Sequence, residues 1–556
     1  MKVCRCVYFD KKNSRFAIYV DEQYSIGFLY WSELYRQNIT ELEFGQCFKA
    51  SFGNREGQSI NFRGHSVFDA TVELDSRDKV ISFSTDLFKV VSKLNIDQNM
   101  FLNLIEEYSK IVFIECDFSN LQIKKYKITS SVAFLGCNFN NNFRLIECKI
   151  YGNLWMPSCR FQEHFSLKNT SVNGSVHLES CNFSGLGGVS LRGLKADNLY
   201  LDLGVIGGDD LFWLNEMNIE GVVSLGGRFN NDIQFLGYQD KSFNLHDKPK
   251  IGSIIIGVEV YEGLEQSNVT NLSSKLIISS YEVSGVVSIN NLSAELIFLN
   301  DISAGNIIFN DISTVSDLKL SFCNSKGGVN FGGIKVINSS IGRHLKVDNC
   351  NFSNILDFSN TAVSEVSYLN NNETSAGKVS IKHFTSSRFI VYPESFLFGN
   401  SRSSIFYPKE FDVLVSSDNI DLGDQYCSLK NWMADSGKLE LEDIAYFNMR
   451  QCYHENELKK FFFGRVFGWG VRLSNIGISS FVLILLFSFF YRFMGEGLGL
   501  FMSLSLSLQS FISSFFGQWA VYKPDGLIAY VVTFESFLGV LFITVFIGAY
   551  IRKLLR

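Results

Sequence analysis

Cys116-Asp117-Phe118, Cys137-Asn138-Phe139, Cys159-Arg160-Phe161 and Cys181-Asn182-Phe183 repeat one pattern at intervals of 21, 22 and 22 residues, and Cys350-Asn351-Phe352 repeats it later. A period near twenty residues is the length of one coil of a right-handed square β-solenoid, so each repeat adds one rung. The small Cys would then stack above its copies. The Phe two residues on faces the same interior, because side chains on one face of a strand recur every second residue. Past residue 184 the period loosens. Lys275-Leu276-Ile277-Ile278-Ser279, Glu295-Leu296-Ile297-Phe298-Leu299 and Asn306-Ile307-Ile308-Phe309-Asn310 still read as short rungs ending in polar turns. The solenoid is expected over residues 112–395, broken by an insertion near Gly237–Ser253 that carries Lys241, Lys248 and Lys250.

The chain around this repeat has 556 residues, too many for one core, with 53 Phe and only 5 Pro. Residues 1–110 alternate apolar and polar, as in Arg15-Phe16-Ala17-Ile18-Tyr19-Val20, and read as a small mixed or β domain. That domain either caps the solenoid or senses a ligand. Residues 424–463 change character to a helical hairpin. Asp424–Met433 and Leu439–Arg450 are its helices, and Asp435-Ser436-Gly437 is its break.

The C-terminal part is built for lipid. Leu473–Tyr491 holds nineteen residues without a charge, and Leu527–Tyr550 holds one charge, Glu535. Each is long enough to cross a hydrocarbon core of roughly 30 Å. Between them, Leu498–Ala520 is uncharged but carries Ser503, Ser505, Ser507, Gln509, Ser510, Ser513 and Ser514. Lys459, Lys460, Arg465 and Arg472 precede the first run, and Arg552, Lys553 and Arg556 follow the last. Both flanks favour the cytoplasmic face, which requires an even number of crossings. The Ser-rich middle run therefore reads as a re-entrant segment facing protein or water. The expected fold class is mainly β: a cytoplasmic β-solenoid plus an α-helical membrane domain, residues 471–556, with two transmembrane helices and a re-entrant pore segment. The expected location is the inner membrane, multi-pass, with both termini cytoplasmic.

Charge divides the chain the same way. Residues 459–556 carry nine basic and three acidic residues, leaving 41 basic and 53 acidic in the front part. An acidic front gives no global reason to bind bulk nucleic acid. The start, Met1-Lys2-Val3-Cys4-Arg5-Cys6, lacks a signal-peptide apolar core, so the thiols are expected to stay reduced in the cytoplasm. The Cys spacings lack a Cys-x-x-Cys pair or a His partner at zinc distance, so no metal is expected and core packing accounts for them. No His-Glu-x-x-His, Walker loop or nucleophile elbow is present, and the seven His are scattered. The expectation is a protein without catalytic residues or a cofactor.

Two resemblances follow from these residues. The Cys-x-Phe repeats resemble degenerate pentapeptide-repeat proteins, with Cys at the usual Ala position. The two spans around a short segment resemble the two-helix ion-channel family of small bacterial potassium channels, over about 85 residues of the chain. That resemblance implies a homotetramer. It places Ser513 and Ser514 at the Thr and Val positions of the Thr-Val-Gly-Tyr-Gly-Asp filter, Phe515 at the first Gly, Phe516 at the Tyr, Gly517 at the second Gly and Gln518 at the Asp. It makes Glu535 and Gly539 pore-adjacent residues of the inner helix. The filter departs from the family at Phe515, where only Gly adopts the backbone cheaply. A less selective pore, or a constriction at Phe515 and Phe516, fits better than selective potassium conduction. The rival readings are an aromatic belt at the membrane surface for Phe515, Phe516 and Trp519, and an interfacial side chain for Glu535. The design also resembles bacterial anti-phage membrane effectors such as those of the Hailong system, which implies control by a nucleotide or oligonucleotide signal. The alternative is a non-conducting scaffold, anchored in lipid, that presents a solenoid surface to proteins.

Overall fold

The computed structural model describes strands at residues 2–9, 16–21, 26–30, 47–50, 71–75, 80–85 and 88–90. It then describes 91–391 and 414–555, apart from 109, 184–187, 207–211, 230–231, 238–247, 258, 262–263, 267–269, 273, 326–332, 371, 375–377, 417, 495–497 and 517–523. The chain forms two units, Met1–Glu373 and Thr374–Arg556, taken in turn.

The first unit is a β-solenoid of about 11 turns. One turn uses four strands, Lys110–Ile114, Asp117–Phe118, Leu121–Lys124 and Lys127–Ile128, before Ser131–Leu135 lies parallel beside Lys110–Ile114. The first parallel pairing is made earlier, by Phe88–Ser92 with Lys110–Ile114. That rung carries Leu94-Asn95-Ile96 where later rungs carry Cys-x-Phe, and Asn95–Ile96 pairs with Asp117–Phe118. Helix α1, Gln98–Glu107, follows it and buries Phe101 and Ile105. Phe101 sits 5.7 Å from Phe113 and 5.9 Å from Phe134, ring to ring, so the helix covers the end of the aromatic interior. Ahead of it, Ile26–Tyr30, Phe16–Asp21, Lys2–Phe9 and Cys47–Ala50 form a separate antiparallel sheet in that order.

Aromatic stacking sets the interior. Phe118, Phe139, Phe161 and Phe183 stack at 4.9, 4.8 and 4.7 Å with planes within 17°. That is the natural spacing of neighbouring strands, so rungs and rings come into register together. Cys116, Cys137, Cys159 and Cys181 are fully buried. Their thiols also donate across rungs: Cys159 Sγ lies 3.1 Å from the Phe134 carbonyl and Cys181 Sγ 2.9 Å from that of Met156. Thr170 and Thr361 make the same bond at 2.8 and 2.7 Å. The position therefore asks for a small side chain with a donor, which is more than a small apolar one. At the corners, Lys93, Glu115, Lys125 and Glu147 take left-handed backbone, with φ between 49° and 55°. Each such residue costs about 1–2 kcal/mol. The cost is offset by rung hydrogen bonds such as Glu115 N to Leu135 O at 2.8 Å.

Of the insertion expected to break the coil, residues 238–247, with Lys241, lie outside the described residues, and Lys250–Ile256 is itself a strand of the ladder. Ile233 pairs with Leu276 and Ile254 with Val287, both in parallel register, so the ladder runs on past it.

Burial pushes the thiol of Cys137 well above the usual range and raises that of Cys159. Native protein should therefore leave both unlabelled by a thiol-reactive maleimide, read by mass mapping, while denatured protein labels fully. Unfolded thiols ionise near pH 8.5 and the folded ones do not, so the folded chain holds more protons above that pH. Stability should be complete below about pH 8.5 and fall as pH rises beyond it.

The second unit carries Lys378–Ser380, Thr385–Val391 and the helices. Helix α2, Asn419–Asp435, starts five residues before the sequence suggested, capped by Asp418, whose carboxylate accepts the Ile420 N–H at 3.1 Å. Gln425 is buried in α2 and accepts the Ile381 N–H at 2.9 Å. Helix α3, Leu439–Tyr453, returns after Gly437, whose φ is 69°. Next come Glu457–Lys459 and a π-helical turn, Lys460–Val466. Gly468, Trp469 and Gly470 then take φ of 54°, 51° and 71°, three left-handed residues in a row. Trp469 is held there by the His454 ring at 4.8 Å and the Phe463 ring at 5.8 Å. Helices α4 (Leu473–Met494), α5 (Leu500–Phe516) and α6 (Leu527–Leu554) complete the unit. Helices α4 and α6 are long and apolar enough to span a membrane; α5 is shorter.

Candidate functional site

The three C-terminal helices are apolar almost all round, so hydropathy alone does not say which faces meet. Polar side chains and one glycine decide it. Glu535 in α6 is completely buried. The Tyr491 hydroxyl of α4 donates to its Oε2 at 2.5 Å, and Ser507 Oγ of α5 lies 2.5 Å from its Oε1. Ser507 Oγ also lies 2.8 Å from the Ile484 carbonyl of α4. One carboxyl group thus joins all three helices. A buried carboxyl in apolar surroundings is costly unless hydrogen-bonded, and here both oxygens have partners.

The serine row of α5 faces these neighbours. Ser503, Ser507 and Ser510 are buried, spaced to share one helical face. The Ser536 hydroxyl donates to the Ser510 carbonyl at 2.9 Å, and Ser513 Oγ lies 3.2 Å from Ser536 Oγ. Gly539 makes this approach possible: a Cβ there would stand 2.0 Å from the Phe511 carbonyl oxygen. Small residues let helix backbones come close where lipid gives no hydrophobic drive for association. Below, Ile476, Phe511, Phe542 and Ala549 form an apolar cluster.

These contacts fix directions. Tyr491 meets Glu535 and Phe487 meets Phe534, while Ile476 meets the Phe542 and Ala549 end, so α4 and α6 are antiparallel. Along α5, Ser507 meets Glu535 and Phe511 meets Gly539 and Phe542, so α5 runs in the same sense as α6. The far end of α6 is tied to the hairpin: the Arg552 guanidinium stacks 4.9 Å over the Tyr446 ring and sits 4.0 Å from Asp443. Arg472, at the foot of α4, lies 5.7 Å over Phe447.

Of the filter-like residues, Ser513, Ser514, Phe515 and Phe516 form the last turn of α5. Gly517, Gln518 and Trp519 lie outside the described residues. Glu535 and Gly539 come together with the serine row. Tyr491 and Ile484 were missed as partners, since the sequence shows them only as members of an apolar run. Among the described residues, no group of His, Cys, Asp and Glu is placed to hold a metal ion. No protein-family model matches the chain, and no curated protein or solved structure matches it.

Proposed function

We propose that the chain is a membrane protein whose three-helix unit forms, in a ring of identical copies, an ion-conducting or membrane-permeabilising pore. The signal that controls it, a nucleotide or oligonucleotide, is received by the cytoplasmic β domains, and the setting is bacterial anti-phage defence. The observation that carries this reading is the direction of α5. It starts beside the end of α4, runs in the same sense as α6 and reaches Gly539 and Phe542 at Phe511. The chain must then climb back to Leu527, which starts level with the end of α4. The ten residues 517–526 span at most about 35 Å, enough for that return. A helix that descends between two spans and returns to the same side is the layout of a re-entrant pore segment. Contacts of Arg552 and Arg472 with α3 give the hairpin a grip on both spans, the route by which a signal would shift a closed–open equilibrium.

A scaffold is favoured by one specific observation: the Ser507 and Ser510 hydroxyls are spent on carbonyls inside the bundle, and Ser503 is buried on the same face. The two readings part in planar bilayers holding purified protein, with potassium and sodium compared. Discrete events weakly selective between the ions are expected. Glu535→Gln should keep the fold and change the current. Glu535→Ala should leave the Tyr491 hydroxyl without its carboxyl partner, at about 1–3 kcal/mol, while Ser507 keeps the Ile484 carbonyl. A bilayer that stays silent even after lysate from phage-infected cells is added would select the scaffold.

A further inference from the structure

Just before α4 the surface is unusually apolar for a segment outside the spans. Leu458, Phe461, Phe462 and Phe463 are 70, 48, 53 and 50 % exposed. Beside them opens a cavity of about 630 Å³, walled by Phe463, Phe467, Leu541 and Val545, with Lys459 and Trp469 also lining it. Two of these walls belong to α6 itself, nine and thirteen residues from its last residue, Leu554. At about 1.5 Å per residue, they lie roughly 13–20 Å in from that end. The cavity therefore joins the flank of a span-length helix to a basic segment. From 455 to 472 the chain holds Lys459, Lys460, Arg465 and Arg472 against Glu455 and Glu457.

We propose that this cavity binds an anionic phospholipid, with one acyl chain against Phe467, Leu541 and Val545 and the phosphate beside Lys459. The occupant has to be an amphiphile, because the walls are hydrocarbon and aromatic while a cation lines the same cavity. It has to be anionic, because the surplus of charge around the opening is positive. The inference rests on the chain being embedded in a bilayer, and not on whether it conducts.

Full-length protein reconstituted in phosphatidylcholine vesicles tests it, doped with equal amounts of either brominated phosphatidylglycerol or brominated phosphatidylcholine. Bromine quenches nearby tryptophan. Brominated phosphatidylglycerol is expected to quench more, and the excess should vanish in Trp469→Phe. Lys459→Gln should weaken the apparent affinity about five-fold, the effect of one basic residue at an anionic surface, while the variant still floats with the vesicles. Equal quenching by both lipids would mean ordinary boundary lipid and overturn the proposal. Protein that floats but shows no Trp469-dependent quenching would overturn it too, and would point to a second copy of the chain in the cavity. Protein that fails to float would overturn the membrane reading and this proposal with it.

Discussion

Replacing Gly539 with alanine or leucine should separate α5 from α6 and lower stability by about 3 kcal/mol or more, at the upper end of what overpacking costs. The added Cβ would stand 2.0 Å from the Phe511 carbonyl oxygen, 2.8 Å from its carbon and 3.0 Å from its Cα. All three are backbone atoms, so no side chain can turn aside to make room. The helices would have to part, and the bonds from Ser536 to Ser510 and between Ser507 and Glu535 would break with them. Thermal unfolding in detergent measures this. Gly548→Ala is the control, since nothing stands within 4 Å of a Cβ there. A Gly539 variant as stable as the Gly548 variant would show that the two helices do not meet as described.

Phe161→Ala should cost about 3–5 kcal/mol. The ring lies between Phe139 at 4.8 Å and Phe183 at 4.7 Å, and edge-on to Phe165 at 4.9 Å. Removing it leaves a hole in the middle of a stack whose members are held by backbone rungs and cannot close up. In a solenoid each rung touches only its neighbours, so the loss also severs the coupling between the turns on either side. Denaturant unfolding followed by far-ultraviolet circular dichroism should show a lower midpoint, with a broader transition as the two halves melt separately. Phe322→Ala, at a side chain 56 % exposed, should change the midpoint little.

The parts of the fold that were legible in the sequence are those where one residue type has one job. Cys-x-Phe gave the rungs because, from Cys116 to Phe183, a small donor and a stacking ring recur at the same two places of each turn. The first rung stayed hidden because Leu94-Asn95-Ile96 fills the same place without the signature. Helix α1 was hidden because one buried Phe and one buried Ile in ten residues make a weak pattern. In the C-terminal unit the two helices long and apolar enough to cross a membrane were plain from length and charge. Their rotation was not. Phe489 points outward and Phe542 inward, yet the sequence treats them alike. Glu535 and Gly539 were legible as oddities in an apolar run. Their partners Tyr491, Ile484 and Phe511 were not, because only packing brings them within reach. The polarity of the serine row was legible, and the structure shows that protein rather than water meets Ser503, Ser507 and Ser510.

Helices α4 and α6 differ in length, 22 residues against 28. At about 1.5 Å per residue they measure roughly 33 and 42 Å. Placed in a bilayer whose core is about 30 Å thick, the first is matched and the second is too long by some 12 Å. The excess must either protrude or lean, and how much it leans follows the thickness of the surrounding lipid. A lean of about 20° carries one end of a 42 Å rod sideways by roughly 14 Å relative to the other. The end that swings bears Arg552, stacked on Tyr446 of the hairpin. In such a bilayer, hydrophobic mismatch would reach the hairpin as a lateral pull, and lipid composition would become a mechanical input to the part of the protein outside it.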